Sequence, residues 1–448
     1  MTVRRSHLLL ASAVVIAGAA ALMGHGSGPS AMVQGAPLQT EAASADPGKA
    51  LGAGSLPGAV GNRTAQSIAE LIDLDQLALT PAGDHYEATL KDGRHAVLTL
   101  DPVLQAYAER LLSEARAPRG AIVAMAPDGR ILALAGRRSE PTRKGAAPEA
   151  KGADKGAGTF DWRLATEVWA PAASVFKLVT ASALVASGVD PGDKVCFHGG
   201  IRSVLESNLR DDKRDSRCEN LLYGVAHSNN AILGKLAFQK LEPASLTRFA
   251  HELGVAEVLP GAELRGSAGA IDIPQARDLS FAQTAAGFSG SQLSAVGGAL
   301  LAATFADDGE QPVPRLVASI DGAPLPAPAR RRAITPEVAR AVGRMMVATC
   351  EMGSAARSFG RHQAIRVAGK TGTLTRTEPF YMEHSWFVGF APAENPQIVV
   401  SVVLGNPENW HLRGHEAARR LIDRAIEHAS GHDKDLRAKV TPTRRAGS

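Results

Sequence analysis

The stretch WAPAASVFKLVT, residues 169–180, decides how the rest of the chain is read. It holds Ser174-Val175-Phe176-Lys177, the only Ser-x-x-Lys among 448 residues. On a helix, residues three apart share a face, so the Lys177 ammonium sits about one turn above the Ser174 hydroxyl. Pro171 suits a helix start, and the apolar run Val175, Phe176, Leu178, Val179 and Ala181 to Val185 buries that helix in a domain. A buried lysine loses proton affinity by desolvation and becomes a base for the adjacent serine. Taken alone, the motif is better read as a surface serine one turn from a solvated lysine. Ordinary Ser and Lys usage gives roughly one chance match in a chain this long.

Two further motifs decide between these readings. Ser228-Asn229-Asn230 is the only Ser-x-Asn and begins a second helical stretch, Val225 to Leu241. Lys370-Thr371-Gly372-Thr373 holds the only Lys-Thr-Gly and falls on a strand. Singly, Ser228 reads as a helix cap and Lys370 as a charge guarding an edge strand. In order, with gaps of 54 and 142 residues, the three resemble the signature of the penicillin-binding, penicillin-recognising serine transpeptidases and related β-lactamases. The resemblance covers about residues 96–428. AVLTLDPVLQAYAERLL looks like the segment that opens such domains, and GAIVAMAPDGRILALAG like their first hairpin. GFSGSQLSAVGGALLAATFADDGEQPVP and HSWFVGFAP match a glycine-led helix and the strand after Lys-Thr-Gly.

The resemblance implies a serine acyl-enzyme. Ser174 would attack the D-Ala-D-Ala carbonyl of a peptidoglycan stem peptide, and Lys177 would take its proton. Ser228 would relay a proton to the leaving amine, Lys370 would keep the pocket positive, and Asn230 would bind the substrate amide. The backbone N–H groups of Ser174 and Thr373 would form the oxyanion hole. Lys370, Thr371 and Thr373 would hold the terminal carboxylate of the peptide or of an inhibiting β-lactam. Gly372 would let the substrate lie close to the strand. The chain departs from many relatives in reading Pro171-Ala172-Ala173-Ser174, where they have Pro-Gly-Ser before the nucleophile. The segment before Leu98 is too short for a glycosyltransferase domain, and the N-terminal pedestal is reduced. Two other readings stand beside peptidoglycan transpeptidation: a carboxypeptidase or β-lactamase that hydrolyses the acyl-enzyme, and a non-catalytic β-lactam sensor or scaffold. Class A hydrolases add a glutamate that activates water, and neither Glu263 nor Glu310 lies in such a context.

Composition is that of an ordinary globular protein, 45% hydrophobic and 21% charged. The net charge of +4 is spread out, and no aromatic-interleaved basic patch points to nucleic acid. No Cys-x-x-Cys suggests a metal, no cofactor is implied, and the sequence names no protein partner. Arg4-Arg5 precedes the apolar run Leu8 to Met23, a pattern that exports the downstream chain. Sixteen helical residues span about 24 Å, short of a hydrocarbon core of about 30 Å. The run is therefore either a cleaved signal or an anchor completed by Gly24 to Gly28. Either places the catalytic part in the periplasm, at the inner membrane if anchored. In an oxidising compartment Cys196 and Cys218, 22 residues apart, can close a polar loop, worth about 3 kcal/mol. The alternative is three unpaired thiols with Cys350.

In order, the sequence predicts a signal or anchor over 1–29, a Gly/Ala/Ser/Pro linker over 30–60, and a short accessory region over 61–95. A transpeptidase domain occupies 96–430, then a basic tail 431–448. Within the domain, a helix from Pro102 to about Ala115 precedes strands 121–125 and 131–135, joined at Pro127-Asp128-Gly129. Residues 137–158 form a charged low-complexity loop. Helical segments run over about 244–254, 277–286, 292–307 and 336–350. Strands come next over 366–374, 385–391 and 397–404, and a last helix covers about 414–428. The early and late strands combine into one sheet if the chain ends meet. The expected fold class is α/β in several layers: an antiparallel sheet flanked by helices, plus an all-helical subdomain.

Overall fold

The computed structural model describes residues 74, 77–139, 158–261, 263–360, 365–378 and 380–440. The expected export segment, the linker, most of the 137–158 loop and residues 441–448 lie outside them. No helix among the described residues is long and apolar enough to cross a membrane.

Apolar runs form the middle of the central sheet, while the polar stretch AGKTGTLTR and the pair Thr159-Phe160 form its two edges. Its strands are β1 (Arg119–Met125), β2 (Ile131–Arg138), β3 (Thr159–Phe160), β4 (Ala368–Arg376), β5 (Met382–Ala391) and β6 (Ile398–Asn406). They lie in the order β4-β5-β6-β1-β2-β3, every neighbour antiparallel. The early and late strands therefore meet where Val402 pairs with Ile122. Alternate residues serve opposite faces. Val123, Met125, Val388, Val399 and Val403 enter one core, while Ile122, Ala124, Phe387, Val400 and Val402 enter another. Both faces are covered, which is why these strands read as near-continuous apolar runs. Each large apolar side chain so buried contributes about 1.5–3 kcal/mol.

The helices are α1 (Pro102–Ala115), α2 (Lys177–Ala186), α3 (Leu221–Ala226), α4 (Asn230–Lys240), α5 (Pro243–Glu252), α6 (Leu279–Ala285), α7 (Ala295–Ala306), α8 (Pro336–Glu351) and α9 (Gly414–Val440). Asp101 caps α1, accepting from the N–H groups of Val103 and Leu104, and Pro102 occupies its first turn. Helices α1 and α9 cover one sheet face and α7 the other, while α8 lies along β4. The helical middle shares a continuous apolar core with the sheet face beneath α7, so the two halves are packed together around the motifs.

Several boundaries differ from the sequence reading. Ala170-Pro171 is a short strand paired with Gln292-Leu293, not a helix start. The stretch from Val225 to Leu241 is two helices, broken at residues 227–229. Residues 291–293 are strand, and the helix expected from 292 begins at Ala295. The last helix continues to Val440, into what reads as tail. Tyr86–Thr89 and His95–Leu98 belong to a small sheet with Val317–Ile320, so this part of the accessory region is built into the domain. Such pairings depend on partners hundreds of residues away, which local pattern does not register.

Candidate active site

Ser174 sits in a 3-10 turn, Ala173–Phe176, that runs directly into α2. The turn is held from three sides. Ala172 N–H donates to Ser291 O at 3.0 Å. The buried Trp386 of β5 donates from Nε1 to Pro171 O at 2.8 Å. Gly287 backs the turn at φ +87°, where an added Cβ would lie 2.1 Å from Ala173 O. Ala173 itself is left-handed, φ +49°. The surrounding contacts hold this alanine in a conformation that costs about 1 kcal/mol or more.

The Ser-x-x-Lys geometry follows from the turn. Lys177 Nζ lies 2.6 Å from Ser174 Oγ. It also reaches Asn230 Oδ1 at 2.7 Å, the Ala286 carbonyl at 2.8 Å and Ser228 Oγ at 3.4 Å. Lys177 is fully buried, and among the described residues no carboxylate pairs with it. Burial, reinforced by the nearby charge of Lys370, holds its proton affinity well below the ordinary lysine range. The carbonyl oxygens of Asn230 and Ala286 only accept, so they engage two N–H groups. On a neutral amine, the lone pair is then left for the Ser174 hydroxyl.

Ser228 occupies the break between α3 and α4 at φ +56°. The expected cap role falls to its neighbour: Asn229 Oδ1 accepts from Ile232 N–H at 3.0 Å. The left-handed backbone aims the Ser228 hydroxyl between the two lysines, since Lys370 Nζ donates to it at 3.0 Å. Lys370 is also fully buried. It donates to Thr371 O at 2.9 Å, and burial lowers its pKa to about 7.

Asn230 is buried at the start of α4, where Nδ2 donates to Ile201 O at 3.0 Å. Its amide is thus engaged on both sides, by Lys177 and by Ile201. Thr371 is half-buried and Thr373 exposed, two residues apart on one face of β4. A Cβ at Gly372 would stand 3.2 Å from Val175 Cγ2 and 3.3 Å from Ala172 O. Gly372 therefore brings the strand close to the nucleophile turn. All three motifs meet at the junction of sheet and helices; Cys196 and Cys218 lie apart from them, disulfide-bonded in a hairpin with an S–S distance of 1.98 Å. Cys350 is buried and free.

Four contributors lie outside the three motifs: the Ala286 carbonyl, Gly287, Trp386, and Ser354, whose Oγ is 2.6 Å from Thr371 Oγ1. A cavity of about 660 Å³ lined by Phe305, Val347, Met352 and Arg366 includes none of the motif residues. Among the described residues, no cluster of His, Cys, Asp or Glu is arranged to hold a metal.

Comparison with known proteins identifies the family of the chain. The family model "Penicillin binding protein transpeptidase domain" matches residues 120–426. The peptidoglycan D,D-transpeptidase PbpA of Mycobacterium tuberculosis is 27% identical over 311 residues, 64% of this chain and 62% of that protein. Stage V sporulation protein D of Bacillus subtilis is 28% identical over 358 residues, 74% of this chain and 53% of that protein. The chain thus spans about half to three fifths of the length of these relatives. The imipenem acyl-enzyme complex of penicillin-binding protein A from M. tuberculosis superposes with a TM-score of 0.59 at 24% identity, covering 75% of this chain and 80% of that one. The family match spans more than half of the sequence and includes all three motifs, and the chain belongs to the penicillin-binding protein transpeptidase family.

Proposed function

We propose that this protein is a peptidoglycan D,D-transpeptidase that works through a Ser174 acyl-enzyme and is acylated by β-lactams. The observation that carries this reading is the buried Lys177 amine, 2.6 Å from Ser174 Oγ, with acceptors engaging its other sides. Neutral Lys177 takes the Ser174 proton as Oγ attacks the carbonyl between the two terminal D-alanines. The N–H groups of Ser174 and Thr373 bind the oxyanion. The carbon–nitrogen bond then breaks, and the departing D-Ala amine receives a proton through Ser228. A second stem peptide's amine attacks the ester and gives a proton to Lys177; the new peptide bond forms as the ester carbon–Oγ bond breaks, and Lys177 passes that proton to the departing Ser174 Oγ. Lys370, Thr371 and Thr373 hold the donor's terminal carboxylate. In a β-lactam the leaving amine stays tethered to the acyl group, so the ester persists.

Two observations favour transfer over class A hydrolysis. Glu263 spends its carboxylate on the backbone N–H groups of Leu316 and Val317. Among the described residues, no acid touches Ser174 or Lys177. The charged-then-apolar N-terminus supports export, with the catalytic domain in the periplasm and the apolar run as a membrane tether.

The test is incubation with fluorescent penicillin, then mass analysis of the adduct. A stable label of one penicillin per chain is expected, and Ser174→Ala abolishes it. Absence of label on the unaltered protein overturns the reading; rapid release of opened antibiotic replaces it with a β-lactamase. A donor stem peptide offered with an acceptor amine then separates transfer from carboxypeptidase action.

A further inference from the structure

A third buried lysine lies outside the three motifs. Lys235 is on α4, one turn beyond Asn230, and only 1% exposed. Its Nζ donates to Cys196 O at 2.8 Å and to Asp215 Oδ2 at 2.7 Å, and lies 2.9 Å from Asp211 Oδ1. The ammonium therefore ties together both ends of the segment that the Cys196–Cys218 bridge closes. His198 braces the same segment, with Nδ1 2.6 Å from Asp215 Oδ1 and Nε2 3.2 Å from Ser207 Oγ. Ser207, His198 and Asp215 have the connectivity of a hydrolase relay. Lys235 already neutralises Asp215, however, and that makes the cluster a strut.

The middle of the segment reaches the active site. Gly200 O accepts from Asn230 N–H at 2.8 Å, and Ile201 O accepts from Asn230 Nδ2 at 3.0 Å. Gly200 is left-handed at φ +79°, and a Cβ there would lie 2.2 Å from that of Ala231, so the contact is close. A carbonyl facing one end of an amide selects its donor end, and the oxygen must then face the other way. That other way is Lys177 Nζ, 2.7 Å from Asn230 Oδ1.

We propose that the disulfide-closed loop 196–218, pinned by Lys235, is a positioning device for the catalytic centre: its Gly200 carbonyl holds the Asn230 backbone N–H, and its Ile201 carbonyl fixes the orientation of the Asn230 side-chain amide so that Oδ1 faces Lys177. Lys235 is a positioning residue that acts through Asn230. Without the Ile201 carbonyl the amide is free to turn its NH2 toward Lys177, where it opposes an amine N–H or draws the lone pair away from Ser174, and the base loses its alignment. The inference rests on the acyl-enzyme reading above.

The test measures the penicillin acylation rate and the final labelling stoichiometry separately, in a double-mutant cycle. Lys235→Met is expected to slow acylation about tenfold or more, the usual consequence of a small misplacement of a catalytic group, while the stoichiometry of folded protein stays at one. In an Asn230→Ala background the same substitution is expected to change the rate less than about twofold, because the residue it acts through is gone. Cys196→Ser/Cys218→Ser is measured alongside, in case Lys235→Met yields no folded protein, and should show the same dependence on Asn230. Equal slowing in both backgrounds, an unchanged rate, or a fall in stoichiometry alone overturns the proposal. If the unaltered protein takes no label, the acyl-enzyme reading fails first.

Discussion

Lys177 and Lys235 make an instructive pair. Both are buried on helices, Lys177 within a catalytic motif and Lys235 just beyond one, and both make three or more polar contacts. They differ in the charge that faces them. Lys235 meets the carboxylates of Asp215 and Asp211. Lys177 meets neutral oxygens and the like charge of Lys370. An opposed carboxylate stabilises the ammonium and turns a buried lysine into a structural pin. Without one, desolvation favours the free amine, which is what a base needs. Proximity to the motifs is therefore a poor guide to which lysine is chemical.

The largest expected effect breaks the pair apart by substitution. Lys177→Met should slow penicillin acylation about a thousandfold, within the range for loss of a general base, with little change in unfolding free energy. Lys235→Met should have the reverse emphasis. It leaves the Asp215 side chain, 7% exposed, without its cation, and should cost about 3 kcal/mol by urea titration. Comparable stability losses in the two variants would show that facing charge does not separate their roles.

The next effect concerns pH, and Lys370 supplies it. Its folded pKa of about 7 lies below the unfolded value of 10.5. Between those values the unfolded chain binds the extra proton, so stability rises with pH across this window, by up to about 1.4 kcal/mol per unit, and the gain is lost as pH falls through about 7. Lys177, depressed in the same direction, adds to the slope. Urea titrations at pH 7 and pH 9 should show a smaller rise in Lys370→Met than in the unaltered protein; an equal rise would mean that Lys370 does not titrate in this way.

A smaller effect sharpens the comparison at the substrate end. Ser354→Ala removes the hydroxyl 2.6 Å from Thr371 Oγ1 and frees that side chain to rotate. Penicillin should then acylate the protein two- to fivefold less efficiently, a loss of about 0.5–1 kcal/mol typical of one neutral hydrogen bond. The deficit should appear in apparent affinity and leave the saturated rate unchanged.

Much of the site was readable before the fold. The Ser174–Lys177 spacing depends on a single turn, so the 2.6 Å contact needs only that the turn form. The middle strands of the central sheet announce themselves as apolar runs, and the short separations of the three late strands suit antiparallel pairing. The break at Ser228 is different. Its left-handed backbone separates α3 from α4, and local propensity reads straight through it as one helix. Ser354, Trp386 and Gly287 were illegible for a related reason: a hydroxyl, an indole N–H and a missing Cβ acquire a role only from what folds against them.

The sequence by itself determined the chemical groups and their order along the chain: a serine one turn from a lysine, a Ser-x-Asn, and a Lys-Thr-Gly on a strand. Tertiary structure decided which state those groups are in. It removed water and carboxylates from around Lys177, gave Lys235 both of its aspartates, and turned the Asn230 amide through a carbonyl from a distant loop. Proton affinity and hydrogen-bond direction depend on every neighbour within a few ångströms, and those neighbours come from segments more than a hundred residues apart.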